Sequence, residues 1–312
     1  MKKILITGGL GYLGGRIALS LTENADHFLR LGDINLSYDP PWLKNGELFK
    51  FDLLNDADCA SACKNIDWVV HLAALNEIDS AKYPEKALLV NGDGTLKLLK
   101  AAEDAGVKRF LYFSTAHLYG APLQGSITEL TLPKPSHPYS ITHRVAEDFV
   151  LSSNKLEGVV VRLSNGIGFP ASKEVNRWTL IGNDLCRQAV MDKKLELKSF
   201  GLQKRDFICL SDVGRAVKHI LEMPKLNPAD NYFNLGGEDV LSVIQLTELI
   251  AERCGKILGF KPPIIRPKRT DNDRGNPLKY SIAKLKNTGF KLSGNIVDEI
   301  DKTLQFCKDT FK

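Results

Sequence analysis

Short apolar runs recur along the first half of this chain, at residues 3–7, 28–31, 48–51, 68–71, 110–114 and 159–163, and stretches of helical period separate most of them. Runs of this kind suit strands covered on both faces, so their alternation with helices predicts an α/β fold, a doubly wound parallel sheet. The densest helical stretch, 87–105, carries Leu88, Leu89, Leu96, Leu98 and Leu99, more than one narrow stripe can hold. The longest helix is expected there, with part of its face against a second subunit. After about Ser164 the rhythm loosens through Gly166, Gly168 and Pro170. Helices are expected near 179–191, 212–221 and 242–254 and at the C-terminal end, with a strand at 206–210 and a Pro/Lys-rich stretch at 261–268. No internal repeat and no low-complexity linker interrupts the chain.

The first strand runs straight into TGGLGYLG at residues 7–14, and Asp33 lies nineteen residues beyond the last of these glycines. Gly8, Gly11 and Gly14 let the backbone turn tightly, approach a pyrophosphate and pack helix against strand, while the helix N-terminus offers free N–H groups to phosphate. Asp33 follows the second strand, where a carboxylate can accept hydrogen bonds from both adenosine ribose hydroxyls and repel a 2′-phosphate. No Arg or Lys stands in Ile34, Asn35 or Leu36, so NAD is favoured over NADP.

Composition narrows the partners. The 312 residues are 43% hydrophobic and 25% charged, enough for a sizeable core in one large domain or two closely joined ones. A net charge of +5 arises from 42 basic and 37 acidic residues without a long basic block, so nucleic-acid binding has little support. Six cysteines, at 59, 63, 186, 209, 254 and 307, form no CxxC pair and join no histidine cluster, which reads as free thiols in a reducing compartment and no metal site. No window approaches the ~18 apolar residues of a membrane helix, and a cytoplasmic location is expected.

Further motifs follow in order: Asp52 and Leu53, HLAA at 71–74, Asn91, STAHLYG at 114–120, PYSITH at 138–143, RLSNGIGFP at 162–170 and RDF at 205–207. With the glycine turn and Asp33, this ordered set resembles the extended short-chain dehydrogenase/reductases, in particular their NAD-dependent nucleotide-sugar epimerase/dehydratase branch, to which the UDP-galactose 4-epimerases belong. The resemblance spans nearly the whole chain. It implies a Rossmann NAD-binding domain over 1–163 and 205–235, a smaller substrate-binding region over 164–204 and 236–312, and a homodimer through the helices at 87–105 and 139–151. It also implies that Gly8, Gly11, Tyr12, Leu13, Gly14, Asp33, Asp52, Leu53, Leu72, Ala73, Ala74 and Asn91 surround the cofactor. Thr115 and Tyr139, 24 residues apart, fall at the active-site hydroxyl and the catalytic tyrosine. Asn165, Arg205 and Arg269 correspond to residues that hold a sugar-nucleotide diphosphate, a task suited to the planar fork of arginine.

One departure stands out. The resemblance calls for lysine four residues after the tyrosine, on the same helix face, where its charge lowers the tyrosine pKa and its ammonium holds the nicotinamide ribose. Here that residue is His143, mostly neutral at pH 7 at its ordinary pKa and so a weaker electrostatic helper, though still able to donate to the ribose. Arg144 points about 100° away on the helix. A literal YxxxK does occur at Tyr280 and Lys284, but it lies in the C-terminal region, away from the strand that carries Ser114 and Thr115. His117, two residues after Thr115, is a candidate ligand to the substrate; with Ala116 it stands where related dehydratases carry an Asp-Glu pair, which disfavours 4,6-dehydration.

The expected activity is therefore reversible hydride transfer at C4 of a nucleotide-linked sugar, with Tyr139 as base and Thr115 beside it. Two rivals are a non-catalytic NAD-binding sensor or assembly protein, suggested by the missing lysine, and a reductase of a non-sugar ketone. The pairing of Thr115 with Tyr139 argues against the first. Asn165, Arg205 and Arg269 predict an anionic ligand and argue against the second.

Overall fold

A computed structural model describes residues 1–23, 27–224, 226, 230–271 and 273–311. Seven strands make the central sheet: β1 (Lys2–Thr7), β2 (His27–Asp33), β3 (Gly46–Lys50), β4 (Trp68–His71), β5 (Arg109–Thr115), β6 (Glu157–Leu163) and β7 (Tyr232–Leu235). Their order is β7-β6-β5-β4-β1-β2-β3, and every pairing is parallel. Six of the seven coincide with the apolar runs. β7 escapes the pattern because it is only four residues long and carries Asn234 in its middle.

Alternation along each strand divides the core between the two faces. Ile4, Ile6, Leu29, Leu31, Val70, Leu111, Val159 and Val161 pack on one side with the helices Tyr12–Thr22 and Leu210–Glu222. Leu5, Val69, Phe110, Tyr112 and Val160 pack on the other with the helices Asp56–Cys63, Gly94–Asp104 and Pro138–Ser152. A separate apolar cluster, including Ile167, Trp178, Leu185, Phe207, Leu246 and Leu304, lies beneath a three-stranded sheet of Asn165–Ile167, Lys204–Cys209 and Asp239–Ser242. All six cysteines are buried and unpaired by disulfides.

The helical stretch expected over 87–105 runs without a gap from Pro84 to Asp104, but its middle turn is wider than an α-turn. Pro84–Ala87 and Gly94–Asp104 are α-helical, but Leu88–Asp93 between them is a wider π-turn. The cause lies in Asn91 and Thr95. The Asn91 side chain accepts from Leu75 N at 2.7 Å and donates to Thr142 Oγ1 at 3.0 Å, while the Thr95 hydroxyl donates to the Asn91 carbonyl at 2.6 Å. These bonds fix the backbone at Asn91 and favour an i→i+5 turn, a bulge common at functional sites. Among the described residues the run 84–104 is the longest helical stretch, and Pro138–Ser152, Val243–Ile257 and Ile296–Thr310 follow with 15 residues each.

Candidate active site

The sheet order reverses between β1 and β4, and in a parallel sheet ligands bind at the carboxyl ends of the strands that part there. β1 ends at Thr7, whose hydroxyl accepts from Leu72 N and Ala73 N at 3.1 and 3.2 Å. Thr7 also lies 2.6 Å from His71 Nδ1, and His71 Nε2 lies 3.0 Å from Thr95 Oγ1. Since the Thr95 proton goes to Asn91 O, His71 carries its proton on Nε2 and accepts from Thr7 through Nδ1. Burial drives the His71 pKa down to about 3, so the ring is neutral. A single chain of hydrogen bonds thus links Asn91 to the Leu72–Ala73 backbone, and Gly8 packs directly on it.

The glycine turn is built for close approach. Gly8 has φ of +64°, and a Cβ there would meet Ala73 N at 3.2 Å; a Cβ at Gly14 would lie 2.1 Å from the Gly8 carbonyl oxygen, which no side chain can accept. Helix Tyr12–Thr22 follows with Gly11 as N-cap, no side-chain cap and no acidic residue in its first turn, leaving its N–H groups to a ligand. Asp33 ends β2 half-buried, with Leu10 N and Asn35 N each 3.4 Å from its carboxylate. Burial raises its pKa. These residues fit a dinucleotide without a 2′-phosphate.

Other members of the predicted set take less direct places. The Tyr12 side chain is buried and its hydroxyl donates to Gly168 O at 2.7 Å, so it ties the glycine helix to the segment after β6. Arg16, one turn on, bonds Phe169 O at 2.9 Å and Glu299 at 3.2 Å in the same direction. Leu13 is half-buried, Leu53 buried and Ala74 exposed. Asp52 is exposed, its carboxylate accepting from Leu54 N at 2.9 Å.

Thr115 closes β5, 5% exposed, and accepts from His117 N at 3.2 Å. Helix Pro138–Ser152 packs on β5 and on the turn that follows. His137 caps the helix, its Nδ1 accepting from Tyr139 N at 3.2 Å, and Pro138 supplies the preset first position. Tyr139 is therefore a first-turn residue held at a helix start. His143, one turn later, is 2% exposed and lies against Tyr139, with ring centroids 4.2 Å apart. Burial drives its pKa down to about 4, only partly opposed by the Tyr139 backbone, so His143 is neutral at pH 7. Burial raises Tyr139 to about 12; the negative charge of Glu77 adds to this and Arg177 opposes it. The phenol is protonated, with no cation at 143 to help it ionise.

Three predicted ligand residues meet at a small cleft: His117, Asn165 and Arg205 all line it. Asn165 Nδ2 donates to Asp206 O at 2.9 Å. Among the described residues the only hydrogen-bond partner of Arg205 is Gln203 Oε1, at 3.4 Å, and burial lowers its pKa with no carboxylate among them to offset that. The neighbouring Asp206 takes no part, because its carboxylate accepts from the Ser164 hydroxyl at 2.5 Å and Gly237 N at 3.0 Å. Arg269 stands apart, exposed, with its guanidinium 5.9 Å from the Phe200 ring. Two site residues had no motif to reveal them: Glu77 and Arg177, one hundred positions apart, form an ion pair at 2.6 Å. Only the Asn-capped turn Asn76–Glu77, just after HLAA, hinted at the first. Among the described residues no group of three His, Cys, Asp or Glu side chains could hold a metal, and no helix is long and apolar enough to cross a membrane.

The sequence profile of the NAD dependent epimerase/dehydratase family matches residues 4–236. The chain belongs to this family, and NAD is its cofactor. It is 28% identical to mouse dTDP-D-glucose 4,6-dehydratase, over 99% of this chain and 90% of that one. It is 26% identical to UDP-glucose 4-epimerase of Lactobacillus helveticus, over 96% and 95%. Its fold matches the crystal structure of UDP-glucose 4-epimerase from Thermotoga maritima with UDP-glucose, with a TM-score of 0.79, 23% identity and coverage of 99% and 100%.

Proposed function

We propose that this protein oxidises a nucleotide-linked sugar at C4 and reduces it again, as a 4-epimerase. The observation that supports this reading is that Thr115 ends β5, the neighbour of β4 at the switch point, and that Tyr139 starts the helix packed on β5. NAD, when bound, accepts and returns the hydride. Gly8, Gly11, Gly14 and Asp33 would hold its diphosphate and adenosine ribose, Leu72 to Ala74 and Asn91 its other wall, and a ring N–H of His143 the nicotinamide ribose. Thr115 holds the C4 oxygen while Tyr139 takes the hydroxyl proton and later gives it back. Asn165 and Arg205 bind the diphosphate, and the lack of a carboxylate partner for Arg205 among the described residues supports an anionic ligand. Arg269 would reach it only from its exposed position beside Phe200.

A homodimer and a cytoplasmic location complete the proposal. The exposed Leu88, Leu89 and Ile141 on the two expected helices support the first, and the six unpaired cysteines the second. The test is to mix the NAD-loaded protein with UDP-glucose or dTDP-glucose and follow both the near-ultraviolet absorbance of reduced nicotinamide and the configuration of the recovered sugar. Transient reduction with inversion at C4 is expected. No reduction with either sugar would overturn the reading.

A further inference from the structure

Pro138 has no N–H, so the first backbone donor at the head of helix Pro138–Ser152 is Tyr139 N. Its partner is the His137 ring, whose Nδ1 accepts at 3.2 Å. The Ser140 hydroxyl closes the same turn from the other direction, accepting from His137 N at 3.3 Å and donating to His137 O at 2.9 Å. The residues that usually cap a helix, Ser, Thr, Asn and Asp, offer an oxygen that stays an acceptor at neutral pH. Histidine offers a nitrogen lone pair, and only while the ring is neutral. Because Nδ1 accepts from the backbone, the ring proton of neutral His137 is on Nε2. The ring is half-buried, so protons from solvent reach it.

A proton added at Nδ1 removes that lone pair and sets one N–H against another. It also puts a positive charge at the positive end of the helix dipole. Both effects undo the cap and loosen the first turn, which carries Tyr139. We infer that His137 is the positioning residue of Tyr139, and that protonation of its ring releases the helix start and slows the step that needs the base. This rests on the proposed C4 oxidation, in which the Tyr139 phenol must meet the C4 hydroxyl beside Thr115; a small misplacement of such a group costs a large factor in rate. The elements packed about the helix start bring His117 of the turn after β5, Tyr112 of β5, and Glu77 and Asp79 of helix Glu77–Lys82, the first held by Arg177 and the second by Asn76. Lys134 stands exposed in the loop before the helix. Among the described residues none of these bonds to the His137 ring, so the Tyr139 amide is what its lone pair serves.

The experiment takes the NAD-loaded protein from about pH 8 to about pH 5, the span in which an imidazole gains its proton. Two quantities are read: the initial rate of nicotinamide reduction by UDP-glucose or dTDP-glucose and, without sugar, the protection of the Tyr139 amide against hydrogen exchange by heteronuclear NMR. Each is divided by its value in His137→Asn, whose cap does not titrate, so that the pH dependence of the phenol and of exchange itself cancels. On acidification the relative rate and the relative protection should each fall about tenfold. His137→Ala, uncapped at every pH, should be low in both, with ratios to His137→Asn that do not move with pH. Wild-type ratios that stay level overturn the inference. So does lost protection without lost rate, since Tyr139 then works without the cap. Absence of reduction with both sugars in every variant overturns the hydride reading, and the exchange ratio then decides by itself whether protons release the cap.

Discussion

Of the segments in which a tyrosine is followed four residues later by a basic residue, two near and beyond the middle of the chain, at Tyr139 and Tyr280, are put to opposite uses by the fold. Tyr280 and Lys284 have the residue types a hydride-transferring helix wants. Yet Leu278–Tyr280 is a strand paired with Gly125–Ile127, so tyrosine and lysine do not share a helix face. The Tyr280 ring is 1% exposed, its hydroxyl donating to Arg162 O at 2.8 Å with Asn234 Oδ1 at 3.1 Å, and Lys284 Nζ donates to Tyr232 O at 2.9 Å. Tyr139 and His143 have the weaker pattern and the better place, on one helix face beside the end of β5. A reactive pairing is set by the strand end it sits on; its spelling comes second.

That contrast can be broken most sharply at the two hydroxyls. Tyr139→Phe removes the proposed proton acceptor of the C4 hydroxyl, so turnover should fall by about 10²–10⁴-fold while NAD binding, measured by titration, persists. Unchanged turnover would remove Tyr139 from the chemistry. Tyr280→Phe takes away the hydroxyl that donates to the buried Arg162 carbonyl, at a cost of about 1–3 kcal/mol in denaturant unfolding, with kcat of the folded protein unaltered. A loss of kcat without loss of stability would mean that the C-terminal pair has a catalytic share.

The cofactor half was more legible than the chemical half, for a physical reason. A glycine turn works through backbone close to it in sequence, and an apolar strand leading into it can be read directly. The seven-residue β5 and the helix cap at His137 and Pro138 are equally local. What stayed hidden depends on side chains from distant elements: the Glu77–Arg177 pair, the Thr7–His71–Thr95 chain, and the ties from Tyr12 and Arg16 to Gly168 and Phe169. The π-turn at Leu88–Asp93 was missed because leucine density reports burial and says nothing of which carbonyl Thr95 bonds. His143 was visible as a departure from lysine, but its depth was not, and depth decides its charge.

The smallest expected effect tests that depth. With His143 neutral and Tyr139 raised to about 12, tyrosinate is scarce at neutral pH and its share grows tenfold with each pH unit. The rate step that needs the base should therefore climb across the alkaline range without a plateau before about 12. His143→Lys sets an ammonium one helical turn from the phenol, and an opposite charge favours the ionised form, so the limb moves to lower pH. Each unit of that movement raises kcat/KM at pH 7 about tenfold. If the two pH–rate profiles coincide, residue 143 has no electrostatic hold on Tyr139, and the comparison between the two tyrosines rests on their position at the strand ends alone.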